Sequence, residues 1–191
     1  MGLEAVLLDR DGIICVNRVD HVKDWDEFEL LPGVDSELLR LTEMGLRLAI
    51  VTNQAIIGRG MVSRTCVNEI NSLMCEQLHR LGVEIDGVFI CPHTPEDRCV
   101  CRKPEPGLIL DATDQMNIKP NRSCIVGDVY SDMAAGFSGG CRSGYLVPSS
   151  RDQGSSSICV PKPWQRFSKV QSLHEAVSEI LAESDNSDDP I

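Results

Sequence analysis

Ala5-Val-Leu-Leu8 runs straight into Asp9-Arg10-Asp11-Gly12, a short apolar stretch broken by two carboxylates and a glycine. A run that is apolar at every position, instead of at alternate ones, is the pattern of a strand buried on both faces, as in a parallel sheet. Side chains at i and i+2 of an extended segment point the same way, so Asp9 and Asp11 are delivered side by side at the strand's carboxyl end. Their mutual repulsion raises one pKa or recruits a cation. Taken alone, such a pair more often caps the following turn.

Working outward, four more short apolar runs follow: Leu46–Val51, Gly87–Ile90, Cys124–Val126 and Gly144–Val147. Helical patterns lie between them. Val34, Leu38, Leu41 and Met44 share one face after Pro32-Gly33; Val67, Ile70, Met74, Leu78 and Leu81 share another, with Ser63 as its N-cap. Leu108, Leu110, Ala112 and Met116 mark a third, and Val170, Leu173, Val177, Ile180 and Leu181 a last one. Alternating β and α units predict a doubly wound, Rossmann-like α/β fold with a parallel sheet covered on both faces. Ligands in that architecture gather beyond the carboxyl ends of the strands. A single domain is expected over 1–182, with a long acidic connection at 12–33, a serine-rich surface loop at 148–163 and a disordered acidic tail at 183–191.

The 191 residues carry 29 acids against 18 Lys+Arg, a net charge of −11, which gives general binding to nucleic acid or anionic membrane the wrong sign. No apolar run approaches the roughly 18 residues of a membrane span, and the amino terminus lacks a secretory pattern. Nine cysteines, an odd number without a regular framework, suit a reducing cytoplasm. Any phosphate the protein handles must therefore be held locally, and the expected state is a monomer.

The remaining chemistry stands at strand ends. Leu46–Val51 leads into Thr52-Asn53-Gln54, the loop after the third run holds Arg102-Lys103-Pro104, and Cys124–Val126 leads into Gly127-Asp128-x-x-x-Asp132. An acid pair, a Thr, a Lys and a further acid, in this order at β–α junctions, resemble the four motifs of haloacid dehalogenase (HAD) superfamily phosphatases. The resemblance spans about residues 4 to 147. It implies Asp9 as nucleophile and Asp11 as general acid and base. It implies Thr52 and Lys103 on the phosphoryl oxygens, catalytic Mg²⁺ on Asp9, Asp11 (through its carbonyl) and Asp128, and Asp132 as a partner of Lys103.

Cys91-x-His93-x5-Cys99-x-Cys101 supplies three thiols and an imidazole within eleven positions, a set that suits a structural tetrahedral Zn²⁺ at 91–103; a redox pair is the alternative for the C-x-C. A HAD core with this loop and no large cap domain resembles the subgroup of heptose bisphosphate 7-phosphatases and histidinol-phosphate phosphatases. That implies a phosphomonoesterase on a sugar bisphosphate, with histidinol phosphate or another small ester as alternative substrate. Asn53 and Gln54 are expected near the phosphate, and Arg102, Arg59 and Arg18 at a second anion site. The chain departs from the subgroup at Ile13 (usually Thr), Cys15 (usually Asn) and Ala55-Ile56 (usually Ser-Gly). Those departures motivate a competing expectation, a catalytically weakened HAD fold used as a binding module.

Overall fold

Each of the five apolar runs is a strand in the computed structural model, which describes residues 2–148 and 167–185. The strands are β1 (Ala5–Leu8), β2 (Arg47–Asn53), β3 (Gly87–Cys91), β4 (Ser123–Gly127), β5 (Ser143–Leu146) and a sixth, β6 (Phe167–Lys169). The helices are α1 (Val34–Glu43), α2 (Ala55–Gly58), α3 (Arg64–Arg80), α4 (Gly107–Gln115), α5 (Tyr130–Ser138) and α6 (Leu173–Asp185). All neighbouring strands pair in parallel, in the order β3-β2-β1-β4-β5-β6.

Period-two alternation sorts the strand side chains onto two faces. Val6, Leu8, Leu48, Ile50, Cys124 and Val126 pack beneath α1, α3 and α6. Ala5, Leu7, Ala49, Val51 and Ile125 pack beneath α4 and α5 on the other side. At about 1.5–3 kcal/mol for each fully buried Val, Leu or Ile side chain, these two layers hold the strand ends in place.

The chain order reverses at β1, which lies between β2 and β4. This is the switch point where a crevice opens beyond the strand ends. Register brings the motifs to it: Leu8 is opposite both Ile50 and Val126, and the Asp9 amide donates to the Val126 carbonyl at 2.9 Å. Asp9, Thr52 and Asp128 therefore emerge along one edge.

Helix ends follow local rules. Ser63 accepts from the Cys66 amide at 3.1 Å, as an N-cap should, and α1 starts from Gly33 in the left-handed region. Two expectations need correction. The last helix extends through Asp185, and Glu183 accepts from the Ser143 hydroxyl (2.8 Å) and Tyr145 hydroxyl (2.9 Å) and pairs with Arg142; these anchors make 183–185 helix instead of tail. Residues 55–61, to which the sequence pattern assigns neither strand nor helix, contain the short α2. The acidic tail from 186 and the expected surface loop, Pro148 apart, lie outside the described residues. Among the described residues, no helix is long and apolar enough to cross a membrane.

Candidate active site

Asp9, the first residue beyond β1, is buried beside Lys103, whose ammonium stands 2.9 Å from Asp9 Oδ1, 2.7 Å from Asp132 Oδ1 and 2.7 Å from the Val51 carbonyl. A buried ammonium is tolerable only with such partners. Burial alone would lower Lys103; Asp132 and then Asp9 outweigh it and hold the group above its ordinary value. For Asp9 burial wins over the neighbouring Lys103 and pushes the carboxyl up to about 6, with Asp132 and Asp11 adding to the rise. Asp132 is likewise raised by burial.

The lysine is aimed from its backbone. Asn53 Nδ2 donates to the Lys103 carbonyl at 3.0 Å, and the Lys103 amide donates to Asn53 Oδ1 at 3.1 Å. Asn53, expected near the phosphate, thus commits both ends of its amide to the Lys103 peptide. Gln54 Nε2 donates to Asp11 Oδ2 at 2.7 Å and to Thr52 Oγ1 at 2.9 Å, linking the acid/base candidate to the hydroxyl candidate.

Asp11 is in a different electrostatic state from Asp9. Burial would raise it, but Arg10, which meets both its oxygens at 3.0–3.2 Å, outweighs burial and, with Gln54, holds it below the usual carboxylate range. Cys15, where the subgroup has Asn, sets its thiol 3.6 Å from Asp11 Oδ1 and from the Arg10 carbonyl, so a donor is retained. Ile13 and Ile56 are buried, and Ile13 belongs to the core beneath α1.

The donor set fits a hard divalent cation. Oxygens of Asp9, Asp128 and Asp132 lie within 4.8 Å of one another. Three carboxylates against one ammonium, which meets Asp9 and Asp132 together, leave an excess of negative charge that a divalent cation would offset. Gly12, at φ +97°, allows this: a Cβ there would come within 2.4 Å of Asp128 Oδ2. Asn17 Nδ2 donates to that oxygen at 3.3 Å, a contact that no sequence pattern signalled.

Cys91 at the end of β3, His93, Cys99 and Cys101 form a second cluster. Its S···S separations are 3.3–3.6 Å and the Nδ1···S ones 3.2–3.6 Å. Tetrahedral ligands at about 2.3 Å from zinc would be ~3.8 Å apart, so only a few tenths of an ångström separate this arrangement from a zinc cage. His93 turns Nδ1 inward, and its carbonyl accepts from Arg102 Nη1 at 3.2 Å.

The cationic rim divides. Arg18 lies 3.5 Å from Asp20, and Arg59 Nη1 lies 3.4 Å from His21 Nε2, so neither is brought to the strand-end cluster by these contacts. Arg102 lines a cavity of about 580 Å³ with Lys103 and Arg98. Arg98 carries no motif that would single it out in sequence; its guanidinium meets no carboxylate among the described residues, which is notable in so acidic a chain.

The family model for haloacid dehalogenase-like hydrolases matches residues 3–140. A D-glycero-beta-D-manno-heptose-1,7-bisphosphate 7-phosphatase of Pasteurella multocida is 40% identical over 141 residues, covering 70% of this chain and 75% of that protein. One of Helicobacter pylori is 37% identical over 145 residues, covering 75% and 83%. The crystal structure of the D,D-heptose 1,7-bisphosphate phosphatase of B. bronchiseptica, complexed with magnesium and phosphate, superposes with a TM-score of 0.81 at 31% identity, covering 96% of this chain and 99% of that one.

Proposed function

The chain belongs to the haloacid dehalogenase-like hydrolase family, and from that premise we propose that it is a magnesium-dependent phosphomonoesterase that removes the 7-phosphate of D-glycero-D-manno-heptose 1,7-bisphosphate. The observation that carries the reading is the Lys103 ammonium held between Asp9 and Asp132 at the switch point, with Thr52, Asp11 and Asp128 on the same edge. Relatives that act on this sugar bisphosphate, over most of both chains, support the substrate.

In this reading the Asp9 carboxylate attacks phosphorus in line, and the P–O bond to the sugar breaks as the O–P bond to Asp9 forms. Asp11, which Arg10 keeps as a carboxylate at rest, takes up a proton from solvent and gives it to the leaving alkoxide, then takes one from the water that attacks the aspartyl phosphate. Phosphate leaves and Asp9 is regenerated. Thr52 and Lys103 hold the phosphoryl oxygens, where charge stabilisation counts most. Asp9, Asp128 and the Asp11 carbonyl would hold Mg²⁺, whose charge offsets repulsion between the anionic nucleophile and the anionic ester. The four sulfur and nitrogen ligands would hold Zn²⁺, which supplies bonds that fix the loop.

Arg102 and Arg98 are the groups proposed for the second phosphate. Histidinol phosphate has a cationic end that would need acids to meet it, and acids of the 12–33 connection are partly neutralised: Lys23 pairs with Asp20 at 2.7 Å and with Glu27 at 3.2 Å. The described cysteines are free thiols, which supports placing the protein in the cytoplasm.

Inorganic-phosphate release with and without Mg²⁺, from heptose 1,7-bisphosphate, histidinol phosphate and simple esters, tests the reading. Metal-dependent turnover of the heptose ester, abolished in Asp9→Asn, is expected. Unchanged turnover in that variant sinks the nucleophile, and preference for histidinol phosphate sinks the substrate.

A further inference from the structure

Arg10 stands between the two motif carboxylates without a part in the proposed chemistry, yet it heads the fully buried side chains by size. Its guanidinium runs toward α3, where Nη1 donates to Asn71 Oδ1 at 2.9 Å, while Nε and Nη2 meet both Asp11 oxygens at 3.0–3.2 Å. Asn71 is itself buried, on a helix whose other buried residues are Val67, Ile70, Met74 and Leu78. Its Nδ2 finds no partner among the described residues. An unpaired buried amide nitrogen is a cost that a leucine here would not carry, so the carbonyl end is what the position uses.

We infer that Asn71 and Arg10 form a brace from α3 to Asp11 that fixes the direction of the Asp11 carboxylate. A planar guanidinium gripping both oxygens sets orientation as well as distance, which a lysine cannot do. The brace continues beyond Asp11 through Gln54 to the Thr52 hydroxyl, so one row of side-chain hydrogen bonds ties the acid/base group to the phosphoryl-holding group. Arg10 and Asn71 are positioning residues: proton transfer to the leaving oxygen and from the attacking water both need a carboxylate aimed within hydrogen-bond reach. The inference deepens the proposed function and rests on its assignment of Asp11.

The test compares Asn71→Leu, which removes the accepting oxygen, with Asn71→Asp, which keeps it. Asn71→Leu should lower kcat about 10- to 100-fold with KM within about twofold, because misaimed general acid–base groups lose rate and not binding. With p-nitrophenyl phosphate, whose leaving group departs without a proton, the same variant should release a burst of one p-nitrophenolate per active site before slow turnover. Asp9 is then still phosphorylated while water activation lags. Misfolded protein would instead shrink the burst. Asn71→Asp should recover kcat to within about threefold of wild type, since the bond to Arg10 is retained. Equal losses in both variants, no loss in Asn71→Leu, or a loss confined to KM overturns the brace. A wild-type protein that releases no phosphate overturns the phosphatase reading alone. The brace then stands if a crystal structure of Asn71→Leu shows Asp11 displaced from Gln54 Nε2, and falls if Asp11 has not moved.

Discussion

Lys103 sits on the border between two regions built by different means. On one side are Asp9, Thr52, Asp128 and Asp132, all buried and carried by strands or helix starts that the sheet's hydrogen bonds and two apolar layers hold in place. On the other is the loop from Cys91 to Arg102, where Glu96, Arg98 and Val100 are exposed and the inward-facing groups are the four cysteine and histidine side chains. The strand-end region is positioned by the fold itself. The loop lacks a core of its own, and under the proposed function bonds to Zn²⁺ would hold it. Loss of a group should therefore cost stability and activity together in the first region, and activity with little loss of fold in the second.

The largest expected effect is that of Lys103→Met. Removing the ammonium leaves Asp9 and Asp132 buried without their cation, so unfolding free energy should fall by about 3–5 kcal/mol. Phosphate release should fall at least about 10²-fold, the scale of losing one charge-stabilising donor. Denaturant titration and steady-state assays check both, and a variant that is slow yet fully stable breaks the comparison.

The acid limb of the pH profile comes next. Asp9 attacks as a carboxylate, and burial pushes its carboxyl up to about 6. In the folded protein its charged form is disfavoured relative to the unfolded chain, so activity should be present above about pH 6 and fall about tenfold per pH unit below it. Rising Mg²⁺ should move the limb to lower pH. Profiles of kcat/KM at two Mg²⁺ concentrations measure this, and a limb that ignores Mg²⁺ counts against Asp9 as a ligand.

Cys101→Ser addresses the other region. Bound zinc should be lost and kcat/KM should fall about 10- to 100-fold, the range for disturbing a metal site, while far-UV circular dichroism stays that of wild type. Collapse of the whole fold would show that the loop is part of the core after all. The smallest effect sharpens what the loop does for the substrate. Arg98→Ala should raise KM for the bisphosphate about tenfold, as for one lost charge-assisted bond, and leave a heptose monophosphate within about twofold. An equal effect on both esters assigns Arg98 to the fold of the loop.

Much of this arrangement is legible in order along the chain. β1, the 48–51 stretch of β2 and the 124–126 stretch of β4 are apolar at every position because the sheet is covered on both faces, and the motif residues follow these runs directly. The shortest elements are not legible: the four residues of α2 and the three of β6 are too few to show a period. Helix α5 is hidden by its small residues, which serve packing: a Cβ on Gly136 would lie 2.4 Å from Ile125 Cγ2, so the helix sits close on the sheet only with glycine there. Arg102, Arg59 and Arg18 look alike in sequence as anion-binding candidates. Their neighbours separate them: Arg18 lies against Asp20, two residues on, and Arg59 against His21, 38 residues away.

By itself the sequence determined five of the six strands and their parallel sense, the family, the order of the charged motifs and the cysteine–histidine ligand set, because these depend on local periodicity and on spacings of a few residues. Only the tertiary structure decided that Asn53 aims Lys103 through its backbone, that Arg98 shares a cavity with Arg102, and that Asn71, 61 positions along the chain, holds Arg10 against Asp11. Directional contacts between distant side chains depend on how the helices settle on the sheet, and no local pattern encodes that distance.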